Sequence, residues 1–215
     1  MTYYDILNDD KIIEIYNQIE IKTNYVISHG LIHVNNVLKL CKNIAKEVKL
    51  SNQNKKLLYI ACVLHDVGRF YDNNMHNLSS EKFAREYLKN KLLPEEIDIV
   101  CNAIKYHSQE SADFINMDSV AYCLILADKL DSSKTRLLEN LMYQAVEAKF
   151  DRLKFCNKME VKIINKELLI NVYQNNRSME DIVKIMDKKG MNIIYSNFVK
   201  HFKLKNYKYN FILEN

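Results

Sequence analysis

The sequence predicts a mainly α-helical protein with a smaller C-terminal α+β part that contains a β-hairpin. The chain of 215 residues has only 3 glycines and 1 proline, too few for a fold rich in tight turns. Apolar residues recur at helical spacing through most of residues 1–148, whereas two short β-branched runs follow later. We therefore expect residues 1–148 to form a helical core and residues 149–215 to form an appendage that packs on it.

Apolar stripes with capping residues mark the helices of the core. Pro94 suits the first turn of a helix, and Ser79 or Ser80 suits a helix N-terminus. The run Val120–Asp128 is apolar nearly all round, so it is expected at the centre of the core. Helices are predicted over residues 9–22, Val26–Val48, Asn54–Asp66, Ser79 or Ser80 to Asn90, from Pro94 to near His107, Val120–Asp128 and Lys134–Ala148.

The pattern changes in the C-terminal part. The runs Val161–Ile164 and Leu168–Tyr173 flank a polar turn, which predicts a hairpin. Ser178 is expected to cap a helix that ends near Lys189 before Gly190. A short amphipathic helix is predicted over Ile194–Phe202.

The charge distribution and the cysteines indicate which partners and which cell compartment to expect. The net charge is +4, with 14 Lys+Arg against 8 Asp+Glu in residues 140–215. Because these charges alternate with acids and no stacking motif accompanies them, nucleic acid is not an expected partner. The 5 cysteines form no CxxC pair and are typical of buried thiols in a reducing compartment. Without a signal-like N-terminus or a membrane-length apolar run, we expect a cytoplasmic protein that has no membrane contact.

Histidines and aspartates lie at the predicted helix ends, where they could converge on one cleft. They are His33, His65, Asp66, His76, His107 and Asp128. Imidazole nitrogen together with carboxylate oxygen suits Zn, Mn or Fe better than Ca. Each residue alone has a plainer interpretation as a hydrogen-bonded side chain at the border of the core, and His65-Asp66 could be a salt bridge at a helix end.

The ordered set resembles the HD-domain metal-dependent phosphohydrolase superfamily. The likeness rests on three segments, His33-Val-Asn-Asn-Val37, Leu64-His-Asp-Val-Gly68 and Leu126-Ala-Asp-Lys-Leu-Asp131, and covers roughly residues 20–140. It implies an HD-domain helical bundle. It also implies that His33, His65, Asp66 and Asp128 bind the core metal, while His76 and His107 match the extra histidines of branches that hold two metals.

The likeness leaves the branch open. Val67-Gly-Arg-Phe70 departs from the Glu-Asp pair of alarmone hydrolases, and no Gly-Tyr-Pro tripeptide follows His107. Dinucleoside-tetraphosphate hydrolases and small HD hydrolases of nucleoside phosphates or other phosphoesters both fit. Residues 150–215 match no known motif.

The likeness implies a phosphatase or phosphodiesterase that uses metal-activated water. One or two divalent transition metal ions (Mn, Fe, Zn, Ni or Co) would be bound, and the substrate would be a small phosphorylated molecule such as a nucleotide. Asp66, Arg69 and Lys129 are the expected catalytic residues, the last two as phosphate contacts, although both could be surface ion-pair partners. The alternative is a non-catalytic HD module that senses a nucleotide or a metal. A homodimer is compatible with the sequence. His29 could contact the substrate, support a metal ligand or be a simple exposed histidine, and Asp131 could orient a ligand or a metal-bound water.

Overall fold

A computed structural model describes residues 1–22, 27–108, 117–136, 156–175 and 190–214. Within these residues the protein is mainly helical, with a small C-terminal sheet that includes a hairpin, as the sequence predicts. The predicted helix Ser178–Lys189, most of the predicted helix Lys134–Ala148 and the predicted domain boundary after residue 148 lie outside them.

The described helices lie close to their predicted positions. The helices are α1 (Tyr3–Leu7), α2 (Asp10–Lys22), α3 (Leu31–Glu47), α4 (Asn52–Leu64), α5 (His76–Leu88), α6 (Pro94–Tyr106), α7 (Ser119–Leu130) and α8 (Asn192–His201), with short 3₁₀ helices at Val67–Phe70 and Lys134–Arg136. The strands are β1 (Cys156–Ile164), β2 (Glu167–Gln174) and β3 (Asn206–Leu213).

Helix α7 lies at the centre of the core. It packs against α3, α4, α6 and α8, and nine of its twelve residues are buried. Helix α4 contributes an uninterrupted buried run, Ile60–Leu64, which leads directly to His65 and Asp66. All five cysteines are buried thiols, as expected. Because α4 and α7 are held on several sides, the polar residues at their C-terminal ends have fixed positions.

The sheet has the order β1-β2-β3 and packs on the helical core through β1. Strands β1 and β2 form the predicted antiparallel hairpin, with Val161 opposite Ile170, whereas β2 and β3 are parallel, with Leu168 opposite Tyr207. The hairpin turn has positive φ at Asn165 (53°) and Lys166 (66°), the backbone typical of a two-residue type I′ turn. Strand β3 was not among the predicted elements.

The start of α3 differs from its prediction. The helix was expected from Val26, but it begins at Leu31, after Gly30 in an extended conformation. The amide N–H of Gly30 donates to the Glu20 carboxylate at 2.7 Å, and the Ser28 amide donates to the Arg136 carbonyl at 2.8 Å. These long-range bonds replace helical ones, so His29 precedes the helix and does not share a helical face with His33.

Helix α5 also begins earlier than predicted, at His76 rather than after Ser79 or Ser80. The Asp72 carboxylate accepts hydrogen bonds from the Asn74 and Met75 amides and so organises the turn before the helix. Ser80 is not a cap; it is buried, and its Oγ accepts a bond from the Gly68 amide at 2.8 Å. The start of α5 is therefore packed directly against the Val67–Phe70 turn.

None of the helices in the described ranges combines the length and the apolar character that crossing a bilayer requires.

Candidate metal centre

The ends of five helices bring the predicted site residues into one cluster. His33 lies in the first turn of α3, and His65 and Asp66 directly follow α4. Asp128 lies in the last turn of α7. His107 follows α6, and His76 is the first residue of α5. The cluster thus depends on the mutual packing of the helices and not on any single loop.

Within this cluster, donor atoms approach closely enough to bind a single cation. His33 Nε2 lies 3.2 Å from Asp128 Oδ1, 3.2 Å from His65 Nε2 and 3.7 Å from Asp66 Oδ2. His107 Nε2 lies 3.4 Å from Asp66 Oδ1. Three groups each have ligand atoms within 4.8 Å of one another: His33, His65 and Asp128; His65, Asp66 and His107; and His29, His33 and Asp66.

The Nδ1 atoms of these histidines form hydrogen bonds that orient the rings, so that the Nε2 atoms face the cluster. His65 Nδ1 donates to the Cys62 carbonyl at 2.7 Å, and His107 Nδ1 donates to the Ile104 carbonyl at 2.6 Å. His33 Nδ1 donates to Asp131 Oδ2 at 2.7 Å. Because these acceptors keep the proton of each neutral imidazole on Nδ1, the Nε2 atom of the neutral form directs its lone pair toward the cluster. Such outer partners are the usual support of histidine metal ligands.

Burial and neighbouring charges set the protonation states. Burial lowers the pKa of His65 to about 3, so this imidazole is neutral near pH 7. Burial opposes ionisation of Asp66 and Asp128, but it is outweighed. His65 and Arg69 hold the pKa of Asp66 well below its ordinary value, and hydrogen bonding to His33 does so for Asp128. Neutral imidazole and ionised carboxylate are the metal-binding forms.

The donor set fits a metal cation. The Nε2 atoms of His33 and His65 face each other at 3.2 Å, which needs a positive charge between them or a proton on one of them. Among the described residues, buried Asp66 Oδ1 has no hydrogen-bond partner, a costly state for a carboxylate oxygen, and it lies 3.4 Å from His107 Nε2 and 3.6 Å from His76 Nε2. A divalent ion held by His33, His65, Asp66 and Asp128 would supply the positive charge between the two Nε2 atoms.

The predicted cationic residues lie beside the carboxylates. Arg69 Nε donates to Asp66 Oδ2 at 2.7 Å, and Arg69 Nη2 lies 3.2 Å from His76 Nε2. Lys129 Nζ lies 3.7 Å from Asp128 Oδ2 and is partly exposed. His76 Nε2 is 3.6 Å from Asp66 Oδ1, yet among the described residues His76 is in none of the three-ligand groups.

Sequence reasoning missed Arg136. Its buried guanidinium donates from Nε and Nη2 to the Ser28 carbonyl, both at 3.2 Å, and from Nη1 to the Asp131 carbonyl at 3.0 Å. It thereby ties the segment before α3 to the residue that orients His33. No sequence signal could have found it, because its partner Ser28 lies 108 residues away.

The cluster lies in a segment that is similar to a known family. Residues 30–133 match the family model of the HD domain, and they include all six predicted metal ligands. The chain contains an HD domain. HD domains belong to a family of metal-dependent hydrolases and bind divalent metals, and in this one the His/Asp groups lie where a metal could bind. Arg136 lies just beyond the matched range.

Solved structures include similar chains, of which one is the crystal structure of a predicted HD superfamily hydrolase from an uncultured Thermotogales bacterium. Its sequence identity is 18%, its TM-score is 0.45, and the match covers 68% of this chain and 90% of that one. No curated protein matches the sequence.

Proposed function

We propose that this HD domain is a metal-dependent phosphohydrolase that acts on a small phosphorylated molecule, with nucleotides as the first class to test. The observation that carries the proposal is the convergence of His33, His65, Asp66 and Asp128, with imidazole lone pairs and ionised carboxylates directed at one point. A divalent cation bound there would offset charge on phosphoryl oxygens and lower the pKa of water.

The protein side chains around this point have separate tasks. Asp66 and Asp128 supply the negative charge that holds a cation in a buried place. Asp131 and the Cys62 carbonyl keep the rings of His33 and His65 oriented. Lys129 and Arg69 add positive charge at the edge of the cluster, where the phosphate of a substrate would lie.

The scarcity of cations favours a small substrate. A nucleic-acid backbone is bound through many phosphates by a continuous basic surface. Here Arg69 and Lys129 adjoin the cluster, and two lysines of the sheet pair with acids: Lys158 with Glu160 at 3.3 Å and Lys208 with Glu167 at 2.9 Å. These pairs offset part of the basic excess of the C-terminal part.

A substrate panel tests the proposal. Wild-type protein with Mn²⁺ is assayed on nucleoside mono-, di- and triphosphates, dinucleoside polyphosphates, cyclic dinucleotides and short RNA. We expect turnover of at least one small nucleotide and its loss in Asp66→Asn, while the surface control Asp98→Asn keeps wild-type activity. Turnover of RNA alone would contradict the proposed substrate class. Metal binding without any turnover would favour the sensing module instead.

A further inference from the structure

Arg69 lies beside the residues that a second metal ion would use. The likeness to two-metal HD branches assigns His76 and His107 to a second ion. In the structure His76 Nε2 and His107 Nε2 lie 3.6 and 3.4 Å from Asp66 Oδ1. The guanidinium of Arg69 is bonded to the same carboxylate, at Oδ2. A fixed positive charge is therefore already present beside Asp66.

All three guanidinium nitrogens of Arg69 have partners. Nε donates to Asp66 Oδ2 at 2.7 Å, Nη1 donates to Asn73 Oδ1 at 2.7 Å, and Nη2 lies 3.2 Å from His76 Nε2. The side chain is only 15% exposed. Since arginine stays charged at every physiological pH, this cation is a permanent part of the site.

The Arg69 contact uses the one ring nitrogen of His76 that could bind a metal. His76 Nδ1 lies 3.0 Å from the Asn73 carbonyl, which only accepts hydrogen bonds, so the ring proton is on Nδ1. The lone pair on Nε2 then accepts from Arg69 Nη2.

Close packing fixes the position of Arg69. A Cβ atom at Gly68 would overlap the His76 carbonyl oxygen and the Ser80 amide nitrogen, so glycine lets this turn lie directly on the start of α5. The Arg69 amide also donates to the Asp66 carbonyl at 3.0 Å. The close contact between the Val67–Phe70 turn and the start of α5 therefore keeps Arg69 next to His76.

We propose that Arg69 replaces the second metal: the site binds one divalent ion through His33, His65, Asp66 and Asp128, and the guanidinium is its second cation. A second divalent ion at Asp66 Oδ1, His76 and His107 would have to displace Arg69 from His76 Nε2, and it would lie beside the guanidinium that is bonded to Asp66 Oδ2. Resting on the proposed function, Arg69 would also be the group that pairs with a substrate phosphate oxygen opposite the metal.

Metal stoichiometry tests this inference without any assay of activity. Chelator-stripped full chain is titrated with Mn²⁺ by calorimetry, and bound Mn is counted by elemental analysis and examined by electron paramagnetic resonance. We expect one ion per wild-type chain with an uncoupled spectrum. Arg69→Gln, which removes the charge, should bind a second ion, and Arg69→Gln/His76→Ala should return to one. Circular dichroism confirms that each variant is folded.

Arg85→Gln is the matched control, because Arg85 forms surface ion pairs with Glu81 and Asp98, and it should stay at one ion. Two ions in the wild type, or one ion in Arg69→Gln, would overturn the inference. No Mn²⁺ uptake by either protein would overturn it and the metal-dependent function together. Uptake of one ion with no turnover of any phosphate ester would reject the proposed function alone.

Discussion

At the scale of single residues, the geometry of the site depends on the residues that form hydrogen bonds with its expected metal ligands. His33 is bonded to Asp131 at 2.7 Å, and Asp131 also lies 3.5 Å from Arg136 Nε. Both residues are buried, so the carboxylate has little freedom to turn away. We regard Asp131 as a positioning residue that acts through His33.

The first prediction concerns Asp131. Replacing it with Ala removes the acceptor of the His33 ring proton, so the ring loses its orientation and its preferred tautomer. We expect Mn²⁺ affinity to fall about 10- to 100-fold, the usual cost of losing such a partner. Asp131→Asn, whose amide oxygen can still accept the bond, should lose less, and Asp98→Asn should match the wild type. Calorimetric titration measures this; equal affinity in Asp131→Ala and the wild type would show that the bond does not position His33.

The second prediction concerns proton release at His33. Burial and the Arg136 guanidinium lower the pKa of this histidine, but hydrogen bonds to Asp128 and Asp131 outweigh them and raise it above its ordinary value of 6.5. A metal that binds Nε2 must displace a proton from it at pH values below that raised pKa. Mn²⁺ affinity should therefore rise with pH over the range that leads up to the raised pKa of His33, and then level off above it.

Titrations in buffers with different ionisation enthalpies count the protons released. We expect release at the acidic end of this range and a decline toward zero at the alkaline end. Affinity that is constant with pH, together with no proton release, would show that His33 does not bind the metal through Nε2.

At the scale of elements, side chains of α3 form hydrogen bonds with backbone groups on the edge of β1 that does not pair with β2. The Asn43 side chain donates to the Val161 carbonyl at 3.0 Å and accepts from the Val161 amide at 2.7 Å. Glu47 Oε2 accepts from the Ile163 amide at 2.8 Å. These bonds satisfy backbone groups that an edge strand would otherwise leave exposed, and they attach the sheet to the helix that carries His33.

The third prediction follows from this edge. Asn43→Ala leaves the N–H and C=O groups of buried Val161 without their partners, which we expect to cost about 1–3 kcal/mol in free energy of unfolding. Amide exchange at Val161 should accelerate as well. Denaturant unfolding and hydrogen exchange measure both effects, with Asn102→Ala, an exposed position in α6, as control. Unchanged exchange at Val161 would show that Asn43 does not hold the sheet on α3.

At the scale of the whole molecule, the features predicted correctly are those that depend on a local pattern of residues. The apolar run of α4 leads to His65 and Asp66, and Pro94 begins α6, as expected. The start of α3 was wrong because Glu20 and Arg136 bind the preceding amides from distant parts of the chain. Arg136 itself was missed for the same reason. Contacts between residues outside a single helix or strand leave no periodic pattern in the sequence.

Among the predicted metal ligands, too, local patterns were predicted correctly and contacts between separate segments were not. His33, His65, Asp66, Asp128 and His107 converge as their motifs suggest, since helix ends are fixed by core packing. The pairing of His76 with Arg69 was not predicted, because it depends on the close approach of the Gly68 turn to α5. Their roles in binding metal stay predictions until they are measured.

The most direct measurement is Mn²⁺ binding by chelator-stripped protein, compared among the wild type, His65→Ala, Asp128→Asn and the distant controls Asp98→Asn and His201→Ala. The wild type and both controls should bind Mn²⁺ with the same affinity, whereas His65→Ala and Asp128→Asn should bind at least about 10-fold more weakly while keeping their helicity. A wild type that binds no Mn²⁺, Fe²⁺, Zn²⁺, Ni²⁺ or Co²⁺, or ligand variants that bind as tightly as the wild type, would contradict the assignment of this cluster as a metal centre.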